Sequence, residues 1–486
     1  MRYFLLFIYF CATVSATAQT VQDYVSARLQ HPVLKGAWWG GAAAYVNTPE
    51  DELFSVNADT RLTPASTLKL LTTAAALETL GPEHRFQTNL YAQKRPDENG
   101  ILKGDLYLQG GGDPTLGSTR VAGAESWQTV AKKWAKAVKD AGITRVEGNI
   151  IADVSLFEGP SVGPKVNWEN MGNYYAAPAS PLSFNDNSFK IHFSPQPRDG
   201  KPAEVSSIEP EVPGLTLKSF VTADGKNKKD NAYVYGAPHQ NELEIYGTIP
   251  TNFTGFTISA ALPDPAFFAA HALKTELEKQ DIFVLGVPQT THTAPDYTTM
   301  SLLHAYQSPK LKDIVVIINK RSFNLYADMI LRQLAVHAGK KGSLQNGLKE
   351  LNNFLRENRL AGPEDTVIYD GSGLSRDNLV TPHTLLRTLA FMTTSPNFTY
   401  YYNSLATPDD RGDLLLLRRF LKTRKAVSRV RVKGGTIDGV KAAAGYVTDE
   451  KGNQIAFVLI ANNLATKSEA IFRIHEDILK QLLAQP

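Results

Sequence analysis

The chain has 486 residues, 43% of them hydrophobic and 20% charged, with 51 basic and 48 acidic residues for a net charge of +3. That balance gives no electrostatic case for nucleic acid, because the densest basic cluster, Lys226, Lys228 and Lys229, is broken by Asn227 and followed by Asp230, the pattern of a solvated turn. The length is enough for several domains, and the apolar fraction is ordinary for globular protein.

The N-terminus reads as an export signal. Met1-Arg2 is a short positive start, Tyr3 to Val14 is almost unbroken apolar sequence, and Ala16-Thr17-Ala18 is a small-residue cleavage site before Gln19. A bilayer span needs about 20 residues, so residues 1–18 predict an exported protein, periplasmic or released, with no stable membrane anchor. Cys11, the only cysteine, lies inside this segment behind the bulky Ile8-Tyr9-Phe10, which argues against lipid attachment. The mature chain would then have no cysteine for a disulfide or a thiolate metal site, and would keep 50 basic and 48 acidic residues.

Next, Trp38 to Val46 and Glu52 to Asn57 predict two strands joined by the Asn47-Thr48-Pro49 turn. A helix follows: Pro64 suits its start, Leu70, Ala74 and Leu77 recur at helical spacing, and Gly81-Pro82 ends it. Ser66 falls in its first turn and Lys69 three residues later on the same face. A serine hydroxyl is a poor nucleophile at neutral pH, and a neutral lysine amine one turn away is a suitable proton acceptor, with the helix N-terminus favouring the developing negative charge. Ser-x-x-Lys alone is short enough to arise by chance.

Between Arg85 and about Tyr297 the pattern changes to short strands with frequent turns: Gly104 to Gln109, Val146 to Ala152, Phe189 to Phe193, Val205 to Ile208, Leu243 to Tyr246 and Phe256 to Ala260. Helices are expected at Trp127 to Ala141 and Pro265 to Gln280. The run Gly110-Gly111-Gly112-Asp113-Pro114 has no following Lys-Ser/Thr pair, so it predicts a tight turn and not a phosphate loop.

Helical periodicity returns at Leu311 to Ile318 and Phe323 to Ala338, placing Ser322-Phe323-Asn324 at their junction, where Ser322 and Asn324 can point into a cleft or Ser322 can cap the second helix. Val430 to Lys433 predicts a strand, Gly434-Gly435 leaves its edge bare for an added substrate strand or marks a bulge, and Ala442 to Thr448 with Ile455 to Asn462 form an antiparallel hairpin. A last helix is expected over Ser468 to Leu483. Other hydrolase patterns fail: His475-Glu476 lacks the second histidine of a zincin, and Gly371-Ser372-Gly373 lacks the Gly-x-Ser-x-Gly spacing. No metal or cofactor is required.

Taken together, Ser66-Thr67-Leu68-Lys69, Ser322-Phe323-Asn324 and Lys433-Gly434-Gly435-Thr436 resemble the three motifs of the penicillin-recognising serine peptidases. Within these the chain resembles the D-alanyl-D-alanine carboxypeptidase/endopeptidase family that carries a large insertion between the first two motifs, here 256 positions apart. Gly104-Asp105-Leu106, Gly112 to Leu116, Asp370 to Arg376 and Ala444 to Val447 fit the same family. The resemblance implies an α/β (α+β) fold: a transpeptidase/β-lactamase-like domain with an antiparallel sheet and flanking helices, built from 19–85 and 298–486, and two small β-rich domains in 86–297.

It also implies residue roles. Ser66 is the nucleophile, Lys69 its base, Ser322 and Asn324 a proton relay and amide contact, and Lys433 the anchor of the substrate carboxylate. The N–H groups of Ser66 and Thr436 form the oxyanion hole, and Gly435, Thr436, Arg376, Asp438 and Asn170 line the substrate site. The implied partners are peptidoglycan stem peptides ending in D-Ala-D-Ala, with β-lactams as acylating inhibitors. Two positions depart from the family: Gly434 stands where Thr or Ser is usual, with Thr436 expected to replace the lost hydroxyl in part, and Asn170 stands where some members carry Asp. A catalytically weak penicillin- or wall-binding protein and a β-lactamase-like esterase are the alternative readings.

Overall fold

The structure is a computed structural model that describes residues 20–226, 229–410, 427–465 and 469–485. The expected export segment, Lys228 and Ser468 lie outside the described residues.

The two ends of the chain build one antiparallel sheet. Its strands are β1 (Trp38–Tyr45), β2 (Glu52–Val56), β3 (Val430–Ile437), β4 (Val440–Thr448) and β5 (Gln454–Asn462), in the spatial order β2-β1-β5-β4-β3. Both faces are covered, which is why β5 reads as a continuous apolar run and not as an alternation. Ala442, Ala444 and Tyr446 of β4 face a core with the helices Lys69–Thr79, Leu311–Lys320, Asn324–His337 and Pro382–Thr394, whereas Val447 faces the C-terminal helix Glu469–Leu483. Leu70, Leu71 and Leu77 of the first of these helices are fully buried, each contributing about 1.5–3 kcal/mol by transfer from water.

The strand expected to stop at Lys433 runs on to Ile437 and turns through Asp438-Gly439 into β4, because Gly434, Gly435 and Thr436 pair with Ala443, Ala442 and Lys441. Thus β3 is the edge strand.

The inserted stretch shares one contiguous core, in which Trp134, Phe184 and Phe268 pack together. The expected strand Val146 to Ala152 is instead two, Arg145–Val146 and Ile150–Asp153, in different sheets. The break falls where the Asp105 carboxylate accepts the Asn149 N–H at 2.7 Å and redirects the chain. Ser301–Gln307, beyond the expected boundary at 297, pairs with Gln87–Ala92 and closes a sheet of the insertion. Asp113 is buried in the Gly110–Pro114 turn and accepts the Thr115 N–H at 2.7 Å, so its carboxylate organises a turn.

Among the described residues, no helix is long and apolar enough to cross a membrane, and no cluster of metal-ligating side chains occurs.

Beneath the sheet, the buried His475 ring accepts a hydrogen bond from Trp39 Nε1 at 3.2 Å. Burial, with Lys441's charge adding to it, pushes this imidazole down to about 3. The unfolded chain takes up a proton at His475 below about pH 6.5 while the folded chain does so only near 3, so stability is lost as pH falls through that window. The melting temperature is expected to drop between pH 7 and 4, and His475→Gln, which keeps an acceptor but cannot titrate, should flatten that slope in a thermal-melt series.

Candidate active site

Ser66 sits in a 3-10 turn, Ala65–Leu68, that leads directly into the helix Lys69–Thr79. Ala65 is held at φ 46, a left-handed conformation unfavourable for alanine, and this sharp bend projects Ser66 toward β3. Lys69 is fully buried. Its Nζ donates to Ser66 Oγ at 3.0 Å, Asn324 Oδ1 at 2.7 Å and the Ser372 carbonyl at 2.5 Å. An ammonium without water costs on the order of several kcal/mol unless its protons find acceptors, and three separate chain segments supply them here.

Two carboxylates shape the Ser372 segment. Asp370 accepts from Gly373 N at 2.7 Å, Ser375 N at 2.6 Å and Asn378 Nδ2 at 2.9 Å, and Asp328 accepts from Gly371 N at 2.8 Å. Burial raises both, and the neighbouring Asp370 charge pushes Asp328 further, to about 7. Gly373, at φ 79, passes so close to the Ala65–Leu68 turn that a Cβ would lie 1.9 Å from the Ala65 carbonyl oxygen.

A second set faces the first. Lys433, also buried, donates to Ser322 Oγ at 3.0 Å and to the Gly434 carbonyl at 2.6 Å. Ser322 does not cap the following helix, whose N-cap is Phe323; it adopts φ 57 at the junction and turns its hydroxyl to Lys433 instead. Asn324 bridges to the insertion by donating from Nδ2 to the Tyr175 carbonyl at 2.8 Å.

The structure therefore brings Ser66, Lys69, Ser322, Asn324 and Lys433 together from three parts of the chain. A cleft of about 530 Å³ opens over them, lined by Ser66, Ser322, Asn324, Asn170, Arg376, Thr436 and Asp438 among others. Arg376 Nη1 donates to the Asp438 carbonyl at 2.7 Å, tying the loop after Asp370 to the β3–β4 turn. Asn170 accepts from the Tyr175 hydroxyl at 3.1 Å, and Thr436 Oγ1 accepts from Lys441 Nζ at 2.7 Å.

Gly435 differs from its expected place. It is buried behind the cleft, where the missing side chain makes room for the protein itself: a Cβ would lie 2.9 Å from the Pro64 carbonyl oxygen and 3.0 Å from Ser66 N. Sequence reasoning missed Asp328, Ser372 and Tyr175. Asp328 had a signal, since it follows Asn324 by one helical turn and so shares its face. Tyr175 had none, because it acts through its main-chain carbonyl.

The fold is that of penicillin binding protein 4 (dacB) from Haemophilus influenzae, whose crystal structure superposes with a TM-score of 0.81 at 24% identity, covering 95% of this chain and 99% of that one. The same protein complexed with a β-lactam gives 0.76 at 22% identity. A profile of the D-Ala-D-Ala carboxypeptidase 3 (S13) family matches residues 21–485, and the chain belongs to that family of serine-type hydrolases. Curated relatives include the D-alanyl-D-alanine carboxypeptidase of Actinomadura sp. (strain R39), 29% identical over 91% of this chain and 81% of that protein, and the carboxypeptidase DacB of Haemophilus influenzae, 24% identical over 94% and 92%.

Gly435→Ala is expected to push β3 away from Ser66 N, since neither the Pro64 carbonyl nor the Ser66 amide is the end of a flexible side chain. The Ser66 and Thr436 N–H groups are the expected oxyanion donors, and losing one well-placed donor costs about 10²–10³ in rate, so acylation by labelled penicillin should slow by at least about tenfold. The melting temperature checks that the fold persists.

Proposed function

We propose that this family member releases the terminal D-alanine of peptidoglycan stem peptides through an acyl-enzyme on Ser66, and cleaves peptide cross-links by the same steps with a larger leaving group. The observation that carries this reading is the Lys69 contact set. Asn324 Oδ1 and the Ser372 carbonyl can only accept hydrogen bonds, so once the amine is neutral its two N–H groups are drawn to them and its lone pair is left facing Ser66 Oγ.

Ser66 Oγ then attacks the carbonyl carbon between the two D-alanines while its proton passes to Lys69 Nζ. The oxyanion is held by the N–H groups of Ser66 and Thr436. As the C–N bond breaks, the departing amine takes a proton from Ser322, Ser322 takes up the proton that Lys69 had received, and D-alanine leaves with Lys69 neutral again. Water next attacks the ester carbonyl, Lys69 accepts its proton and returns it to Ser66 Oγ as the C–O bond breaks, and the shortened peptide leaves with a new terminal carboxyl group. Lys433 and Thr436 attract the substrate's terminal carboxylate, with Thr436 standing in for the hydroxyl that Gly434 lacks. Arg376, Asp438 and Asn170 border the same substrate site.

In this reading the catalytic part is assembled from 19–85 and 298–486, and the insertion forms β-rich domains beside it. Residues 1–18 direct export, so the enzyme meets its substrate in the periplasm or outside the cell.

The test uses the mature chain. Labelled penicillin should give an adduct that maps to Ser66, and a stem pentapeptide should release D-alanine; Ser66→Ala should abolish both, and Lys69→Met should lower release by a factor of about 10² or more. Release undiminished in Ser66→Ala would refute the mechanism, an adduct without release would make the protein a binding protein, and rapid destruction of the antibiotic would make it a β-lactamase.

A further inference from the structure

The four-stranded sheet of the insertion has one conventional face and one anomalous face. Strand Asn231–Tyr235 pairs antiparallel with Glu242–Pro250, with Tyr233 opposite Tyr246 and Tyr235 opposite Glu244. Ala232, Val234, Leu243 and Ile245 point inward and are buried. The residues between them point outward, where charged and small polar side chains are usual; here that face carries Tyr233, Tyr235 and Tyr246 beside Glu244 and the Lys218–Glu242 ion pair, with Lys218 opposite Glu244.

These rings continue a ladder. Trp168 lies 4.8 Å from Tyr235 between ring centroids, Tyr235 lies 5.7 Å from Tyr246, and Tyr246 stacks on Phe220 at 4.9 Å. Trp168 is 64% exposed, Phe220 53%, Tyr246 43% and Tyr233 42%. Exposed rings gathered into one contiguous group are a feature of interaction surfaces. It is continuous with the cleft over Ser66, because Tyr233 and Tyr235 belong to both.

We propose that this ladder binds the sugar strand of peptidoglycan, an inference that rests on the stem-peptide reading of the Ser66 cleft. A stem peptide is attached to the glycan by the end opposite its D-Ala-D-Ala terminus. With that terminus at Ser66, the surface continuous with the far side of the cleft meets sugar. The chemistry fits a pyranose: flat ring faces pack on the C–H faces of the sugar, and carboxylates among them accept its hydroxyl and N–H groups. Glu244 stands in this position, already accepting from the Tyr246 hydroxyl at 3.0 Å. A carboxylate set among the rings disfavours acyl chains of a membrane, and Glu244 with the Lys218–Glu242 ion pair sets the ladder apart from the centre of a packed protein interface, where charged side chains are depleted.

The test uses full-length mature protein carrying Ser66→Ala and, as probe, glycan strands stripped of their stem peptides by an amidase. The chain should co-sediment with these strands, and the double variant Phe220→Ser/Tyr246→Ser should bind them about tenfold more weakly. On the Ser66 background the same pair should lower kcat/KM on polymeric peptidoglycan by about tenfold and leave D-alanine release from a soluble pentapeptide unchanged. Phe220→Trp/Tyr246→Trp, which keeps the ring faces, should restore strand binding.

Failure of the native chain to bind stripped strands, equal binding by the serine variant, or no rescue by tryptophan would overturn the proposal. So would a native dimer in sedimentation that the serine variant dissolves, since a second copy would then occupy the rings. If wild-type protein releases no D-alanine from the soluble peptide, the carboxypeptidase reading fails, while strand binding still decides this inference.

Discussion

The ammonium of Lys69 is enclosed by protein, and the site is organised around satisfying it. A lysine carried into a core raises the free energy unless each proton has an acceptor, and here the acceptors come from its own turn, from the helix Asn324–His337 and from the loop beyond Asp370. Asn324 and Ser372 lie 255 and 303 residues from Lys69, so the two ends of the chain must come together before the charge is compensated. The three-acceptor arrangement also gives the side chain a single orientation, which a proton acceptor beside a serine requires.

Strain and buried charge are concentrated in the parts that hold this arrangement. Ala65 and Ser322 both occupy left-handed backbone conformations, which cost on the order of 1–3 kcal/mol each and aim two hydroxyls across one cleft. Asp328 and Asp370 are drawn into the interior to wind a loop whose essential output is a single carbonyl oxygen. The edge strand β3 completes the frame because two small residues, Gly373 and Gly435, let loop and strand approach the nucleophile turn within van der Waals distance. Packing, and not local propensity, sets the site's dimensions.

The insertion takes part in the same frame. The Tyr175 carbonyl fixes the amide of Asn324, and the Tyr175 hydroxyl reaches Asn170, so the orientation of a residue from the second motif depends on chain far from it in sequence. The insertion also supplies an aromatic wall of the cleft, from Tyr174, Tyr175, Tyr233 and Tyr235.

The order of Ser66, Lys69, Ser322, Asn324 and Lys433, and the helix and strand patterns around them, were legible in the sequence because hydrophobic periodicity and side-chain chemistry are local properties. The longer helices of the insertion, Trp127–Asp140 and Pro265–Lys279, and the β4–β5 hairpin were legible for the same reason. Tertiary structure alone decided that β3 continues through two glycines, since their conformation is set by pairing with Ala442 and Ala443, and that the stretch Val146 to Ala152 divides between two sheets where Asp105 captures Asn149. It alone decided that Gly435 serves the packing of the nucleophile turn, and that Ser372 and Tyr175 contribute main-chain carbonyls. A carbonyl is common to every residue, so its use leaves no mark in sequence; only the folded chain, by bringing it to a buried charge, gives it a role.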